Sequence, residues 1–291
     1  MQWYIMVFIA TFLYGIANIV DNFLSNKLFE KPQILIFYSY LFSVIFLPLL
    51  LFIGPIKIPP PALMIPIFIA GILQIIYLYP YYRTLQAEDT SVAISLFSIG
   101  QIFVPILAFI FIGERLKVYQ YAGIALIVIS SFALTHNKKM RFKRSLWLML
   151  FSAFLVSCID VLYKYTLSGV DALTVVFWSV LFAFIIITIT VMITDRENLE
   201  FAKMKKNMKY FVIIEFMTLV AFILLIYGFS LAPVTLAKGI ESTKPLMILF
   251  IAVIGKGLFP NLFREETSFK SIAKKSMFFI LMIIGVIIIL S

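Results

Sequence analysis

Along nearly the whole chain, apolar residues run for about 20 positions at a time, with polar residues gathered between the runs. A helix crossing the hydrocarbon core of a bilayer needs about 20 mostly apolar residues. That ruler predicts ten spanning helices, at 3–24, 33–53, 62–82, 90–112, 118–135, 145–167, 172–194, 209–230, 234–255 and 273–290. Barrel strands would alternate over short segments, whereas 177–193 reads as one apolar run. The first run lacks a basic start and a cleavage site, so it reads as a span rather than a removed leader. The expected class is an all-α integral membrane protein.

Composition agrees. Of 291 residues, 63% are apolar and 13% charged, against about half and one quarter in soluble domains. Soluble, disordered and nucleic-acid-binding chains are excluded on that ground, and the single Cys158 cannot form an intramolecular disulfide. The net charge of +10 is explained by where it sits. Loops after the first, third, fifth, seventh and ninth spans hold 18 of the 24 Lys and Arg, and the opposite loops hold only Lys57, Arg115 and Lys117. The positive-inside rule places the basic loops in the cytoplasm and both termini outside a cell membrane, with bilayer headgroups rather than nucleic acid as the anionic partner.

The chain repeats itself. Residues 91–101 lay on 235–245 without a gap, Tyr81 to Leu85 on Tyr227 to Leu231, and Gly113 on Gly257. Phe12-Leu13 lay on Phe154-Leu155, with Asn18 on Asp160 and Asn22 on Lys164. This divides the chain into a five-helix repeat at 1–137, a basic linker at 138–142 and a second repeat at 143–291. Five is odd, so the second half is expected upside down. Such inverted repeats build secondary transporters with a midplane site between the halves.

The stretch from Tyr82 to Ala93, then Gln101, Gly113-Glu114-Arg115-Leu116 and Gly123, resembles the EamA-type half of the drug/metabolite transporter superfamily. The run from Gly15 to Asn22 is similar to that family's first helix. The resemblance implies a ten-helix carrier that exports small metabolites, such as amino acids, or amphipathic compounds. The sequence departs from the pattern at Gln101, where Pro is usual (Pro105 lies a turn later), at Asn22, where Lys is common, and at Leu258, which maps onto Glu114.

Polar groups inside a span face the bundle or a wet cavity, because exposing them to lipid costs several kcal/mol. Lys238, Glu241 and Lys244 recur every three residues and stack on one helical face. Asp160 and Lys164 reach the same depth from the sixth span, so that Glu241 is expected to neutralise Lys164, and Asp160 to neutralise Lys238. These five charges sum to +1, which favours a carboxylate-bearing solute, with Glu241 for an amine. Ser98 and Gln101, with Ser95, repeat the same spacing and are expected to face the site from the first half, with Asn18 beside them. Gln74 and Glu215 read as lone polar groups suited to interhelical hydrogen bonds, and Tyr14, Tyr77 and Tyr227 as candidate cavity aromatics. Glu241 or Glu215 could carry a coupled proton. Buried ion pairs that merely hold helices together are the competing explanation.

Catalysis finds little footing. The only His is His136, and zinc, nucleophile-elbow and phosphate-loop motifs are missing from the sequence, so no enzyme activity, metal or cofactor is expected. No ring of like charges points to a channel. The expectation is a secondary-active carrier of a small polar metabolite, an alternating-access exporter, monomeric or homodimeric. An efflux carrier for aromatic or cationic toxic compounds and a non-transporting scaffold or lipid-binding protein are the alternatives.

Overall fold

The computed structural model describes residues 2–88, 90–135, 142–255 and 269–291. Asp89, His136, Gly257, Leu258 and most of the expected linker 138–142 lie outside them. The described residues form helices α1 (Trp3–Phe23), α2 (Pro32–Phe46), α3 (Pro61–Ala87), α4 (Thr90–Ile99), α5 (Phe103–Ile112), α6 (Val118–Thr135) and α7 (Phe142–Thr166). They continue with α8 (Ala172–Thr194), α9 (Phe201–Lys206), α10 (Met208–Leu231), α11 (Val234–Glu241), α12 (Lys244–Gly255) and α13 (Phe269–Leu290). Among the described residues, seven segments are long and apolar enough to cross a membrane: Trp3–Leu28, Pro32–Phe52, Pro61–Ala87, Val92–Ile112, Arg144–Thr166, Ala172–Thr194 and Met208–Leu231. The fifth and tenth expected spans appear as shorter apolar helices, Val118–Ser131 and Met277–Leu290. The ninth is divided between α11 and α12.

That division has a counterpart. A single 3-10 turn, Gly100–Ile102, separates α4 from α5, and Ser242-Thr243 separates α11 from α12. In the repeat the two breaks fall next to one another, Ser242-Thr243 matching residues 98–99, directly before the Gly100–Ile102 turn. At each, a buried serine bonds back to the carbonyl four residues earlier: Ser98 Oγ to Ile94 O at 3.0 Å and Ser242 Oγ to Lys238 O at 2.8 Å. Such back-bonding competes with the helical ladder and bends it.

Packing follows the same pairing. α3 lies along α7 and α10 along α1, so the third helix of each half packs on the first helix of the other. α6 and α13, the last helix of each half, cross at Gly123 and Gly285. A Cβ added at either would stand 2.8 Å from the other's carbonyl oxygen. Only glycine permits that approach, in the way small residues let membrane helices meet backbone to backbone.

At one end of the bundle α8 is tied to α2. Asp195, just past α8, accepts from Lys31 Nζ at 2.8 Å and Gln33 Nε2 at 2.9 Å. These two donors, Lys31 first, pull its carboxyl down to about 2. A depressed carboxylate pKa adds stability that is present above the unfolded value near 4 and lost as pH falls through about 2. Lys31 is half exposed, so solvent screens the pair and the effect is modest. Thermal midpoints in detergent between pH 5 and 2 should therefore fall less steeply for Asp195→Asn than for the wild type; parallel curves would refute the assignment.

Candidate functional site

Where α1, α3, α7, α10 and the α11–α12 break converge, the protein forms a cavity of about 190 Å³. Its charged pole is an ion chain. Lys238 Nζ lies 3.0 Å from Asp160 Oδ2 and also pairs with Glu241, and Lys244 Nζ lies 2.5 Å from Glu241 Oε1. All four residues line the cavity and none is more than 7% exposed. The spacing of three explains the chain: Glu241 ends α11 and Lys244 begins α12, so one carboxylate sits between two ammonium groups on a single helical face. Lys244 Nζ stands 4.9 Å over the Tyr14 ring, a cation–π contact.

A second polar group of walls comes from the first half. Asn18, the repeat partner of Asp160, also lines the cavity and accepts from the Tyr81 hydroxyl at 2.9 Å. Gln74 bridges the walls, accepting from Tyr40 at 2.6 Å and donating to the Tyr163 hydroxyl. Asp21 and Glu215 line the cavity as well, held by neutral donors: Tyr82 at 3.2 Å and Ser43 at 2.9 Å.

Three expected site residues stand elsewhere. Ser98 and Gln101 do not line the cavity; from α4, Ile94 and Phe97 do. Under the gapless match, Ile94, Phe97 and Gly100 correspond to Lys238, Glu241 and Lys244, whereas Ser98 corresponds to Ser242. Ser95, Ser98 and Gln101 stand one position out of register with the charged face, a rotation of about 100° on a helix. Tyr227 likewise stands outside the lining, while Tyr14 and Tyr77 belong to it.

Lys164 is the third. It does not reach Glu241 but donates to Phe229 O at 2.6 Å and Ala232 O at 2.8 Å, the free carbonyls at the end of α10. Its repeat partner Asn22 performs the same task on α3, donating to Leu85 O at 2.8 Å. An ammonium at a helix C-terminus satisfies orphan carbonyls and the dipole together, worth about 0.3–2 kcal/mol.

The turn after α10 is held from the other side by Glu114, whose two carboxylate oxygens accept from Val234 N at 2.8 Å and Thr235 N at 3.0 Å, the first amides of α11. Gly113, at φ +66°, ends α5 in the left-handed conformation that glycine tolerates best and turns the next residue toward α11. The Gly113-Glu114 pair is thus a helix stop followed by a cap on the helix that carries Lys238 and Glu241.

This arrangement of broken helices, mutually packed halves and buried intramembrane charge around a cavity is that of a membrane transporter. The chain belongs to the EamA-like transporter family, whose model matches residues 1–135 and again 143–291, and through it to the drug/metabolite transporter superfamily. Among 28 matching chains of solved structures, one described as a crystal structure of a protein aligns at TM-score 0.70 and 14% identity, covering 98% of this chain and 95% of its own. That likeness concerns the fold alone. None of the curated protein sequences matches.

Glu241 holds two buried lysines, whereas Lys244 has one carboxylate partner. Removing one side of a buried pair costs about 3–5 kcal/mol when the other charge is left behind. Glu241→Gln should therefore lower the thermal midpoint in detergent more than Lys244→Gln does; the reverse order would show that the chain is not arranged around Glu241.

Proposed function

We propose that this protein is a ten-helix secondary-active carrier of a small polar metabolite bearing a carboxylate, such as an amino acid, and that it exports that solute by alternating access. The two halves, 1–137 and 143–291 about the linker 138–142, are read as inverted repeats, with the fifth, ninth and tenth spans formed by α6, α11–α12 and α13. The observation that carries the reading is the cavity lined by Asp160, Lys238, Glu241 and Lys244. Its volume of about 190 Å³ is below the roughly 300–1,000 Å³ of drug-sized pockets, which favours a small solute. Lys244, at the break between α11 and α12, is the ammonium best placed to exchange Glu241 for a solute carboxylate. Asn18 and Asp160 act as facing polar contacts, while Lys164, Ser98 and Gln101 support the helices rather than the solute.

The aromatic walls support a second reading, efflux of aromatic cations. With Lys164 outside and Asp21 and Glu215 inside, four carboxyl groups face two ammonium groups, the opposite of the balance expected from sequence.

A thermal-shift panel of amino acids, organic acids and aromatic cations on the detergent-purified protein separates these readings, since a ligand of the folded state raises its stability. Stabilisation by a carboxylate solute that is lost in Lys244→Ala, followed by uptake of that solute into liposomes, is the expected result. Stabilisation only by aromatic cations, unchanged in Lys244→Ala, selects the second reading. Silence across the panel would reduce the ion chain to a structural element.

Orientation is tested separately. With the basic loops cytoplasmic and both termini outside, Lys57→Cys in a Cys158→Ser background should react with an impermeant maleimide on intact cells, and Lys205→Cys should not. The opposite pattern would invert the topology.

A further inference from the structure

The cavity is polar at two depths, and only one of them is internally compensated. Asp160, Lys238, Glu241 and Lys244 balance one another, two against two. Asp21 and Glu215 receive hydroxyl hydrogen bonds alone, and among the described residues neither forms an ion pair. Glu215 is buried and Asp21 partly buried, and carboxylates withdrawn from water normally have a cationic partner or a full set of donors, because desolvation is otherwise too costly. A second observation points the same way. Ser39, 7% exposed and lining the same cavity beside Glu215, has a hydroxyl left without a hydrogen-bond partner of good geometry. Tyr81 and Tyr82 pack edge to face next to Asp21 and also line the cavity, supplying the aromatic surroundings in which organic ammonium groups bind well.

We propose that Asp21 and Glu215, with Ser39, form a cation subsite that takes the ammonium group of a solute whose carboxylate is held by Lys244. This deepens the reading above and rests on it for the carboxylate end alone. The backbone rise along α1 gives a scale for the solute. Lys244 sits over Tyr14, and Asp21 lies seven residues further along α1, about 10 Å at 1.5 Å per residue. An α-amino acid is too short to engage both ends with its α-groups; a zwitterion with its amine at the far end of a flexible chain is long enough.

Thermal-shift titrations with 6-aminohexanoate, hexanoate, hexylamine and glycine test this on the intact protein. The expected result is that 6-aminohexanoate binds more tightly than the other three, and that Asp21→Asn and Glu215→Gln each weaken it and hexylamine by about tenfold or more while leaving hexanoate unchanged. The wild-type ranking needs no variant, and either variant suffices should the other fail to purify as a monodisperse species. The subsite is overturned if 6-aminohexanoate binds no better than hexanoate, if none of the four binds, or if a well-folded variant retains wild-type affinity for it. Hexanoate binding that is indifferent to Lys244→Ala, with hexylamine still lost in Asp21→Asn, would sink the carboxylate reading and leave the cation subsite standing.

Discussion

A helix that stops part-way through a bilayer leaves backbone groups that no water can satisfy, and every other feature of this protein accommodates that fact. Among the described residues, α4 gives way to α5 at Gly100–Ile102 and α11 to α12 at Ser242-Thr243. Serine hydroxyls fold back onto the ladder at each break. The nearby helix ends are sealed by side chains from other helices: Asn22 on α3, Lys164 on α10 and Glu114 on α11. Because these ends are sealed from a distance, the breaks stay in place while α11 presents Lys238 and Glu241, and α12 presents Lys244, to the cavity.

This separates two kinds of intramembrane charge that look alike as letters. Lys164 and Lys238 are both lysines in apolar runs. One spends its ammonium on backbone carbonyls at a helix end, and the other on two carboxylates beside a cavity. Buried ion pairs are weak evidence for stability, and the four charges of this chain all line one cavity. Caps, by contrast, are explained by the helix ends they close.

The membrane class, the two-repeat organisation and the family were legible in the sequence because they rest on long-range patterns: run length, spacing and recurrence. The Lys238–Glu241–Lys244 face was legible because charges three apart on a helix have few ways to point. What escaped was register and partnership. Ser98 and Gln101 look like counterparts of the charged face until the gapless match is applied residue by residue, which pairs Ile94 and Phe97 with Lys238 and Glu241 instead. Two apolar residues carry no chemical signal of facing a cavity. Asp21 and Glu215 stand on helices far apart in the chain, and the cavity aromatics are hidden among 31 Phe and 14 Tyr. Glu215, Tyr14 and Tyr77 are candidates in the sequence, but only tertiary packing brings them to one cavity with Asp21.

The substitution of Ile94 and Phe97 in one half for Lys238 and Glu241 in the other has a consequence for the molecule as a machine. Two copies of one architecture, joined head to tail in sequence, would by themselves offer a passenger equivalent surroundings from either copy. Here the fourth span of one copy contributes apolar side chains and its counterpart in the other contributes charges. Corresponding positions of the two copies therefore meet the cavity with unlike solvation, and the duplicated frame is made unequal by side chains that leave its shape unchanged.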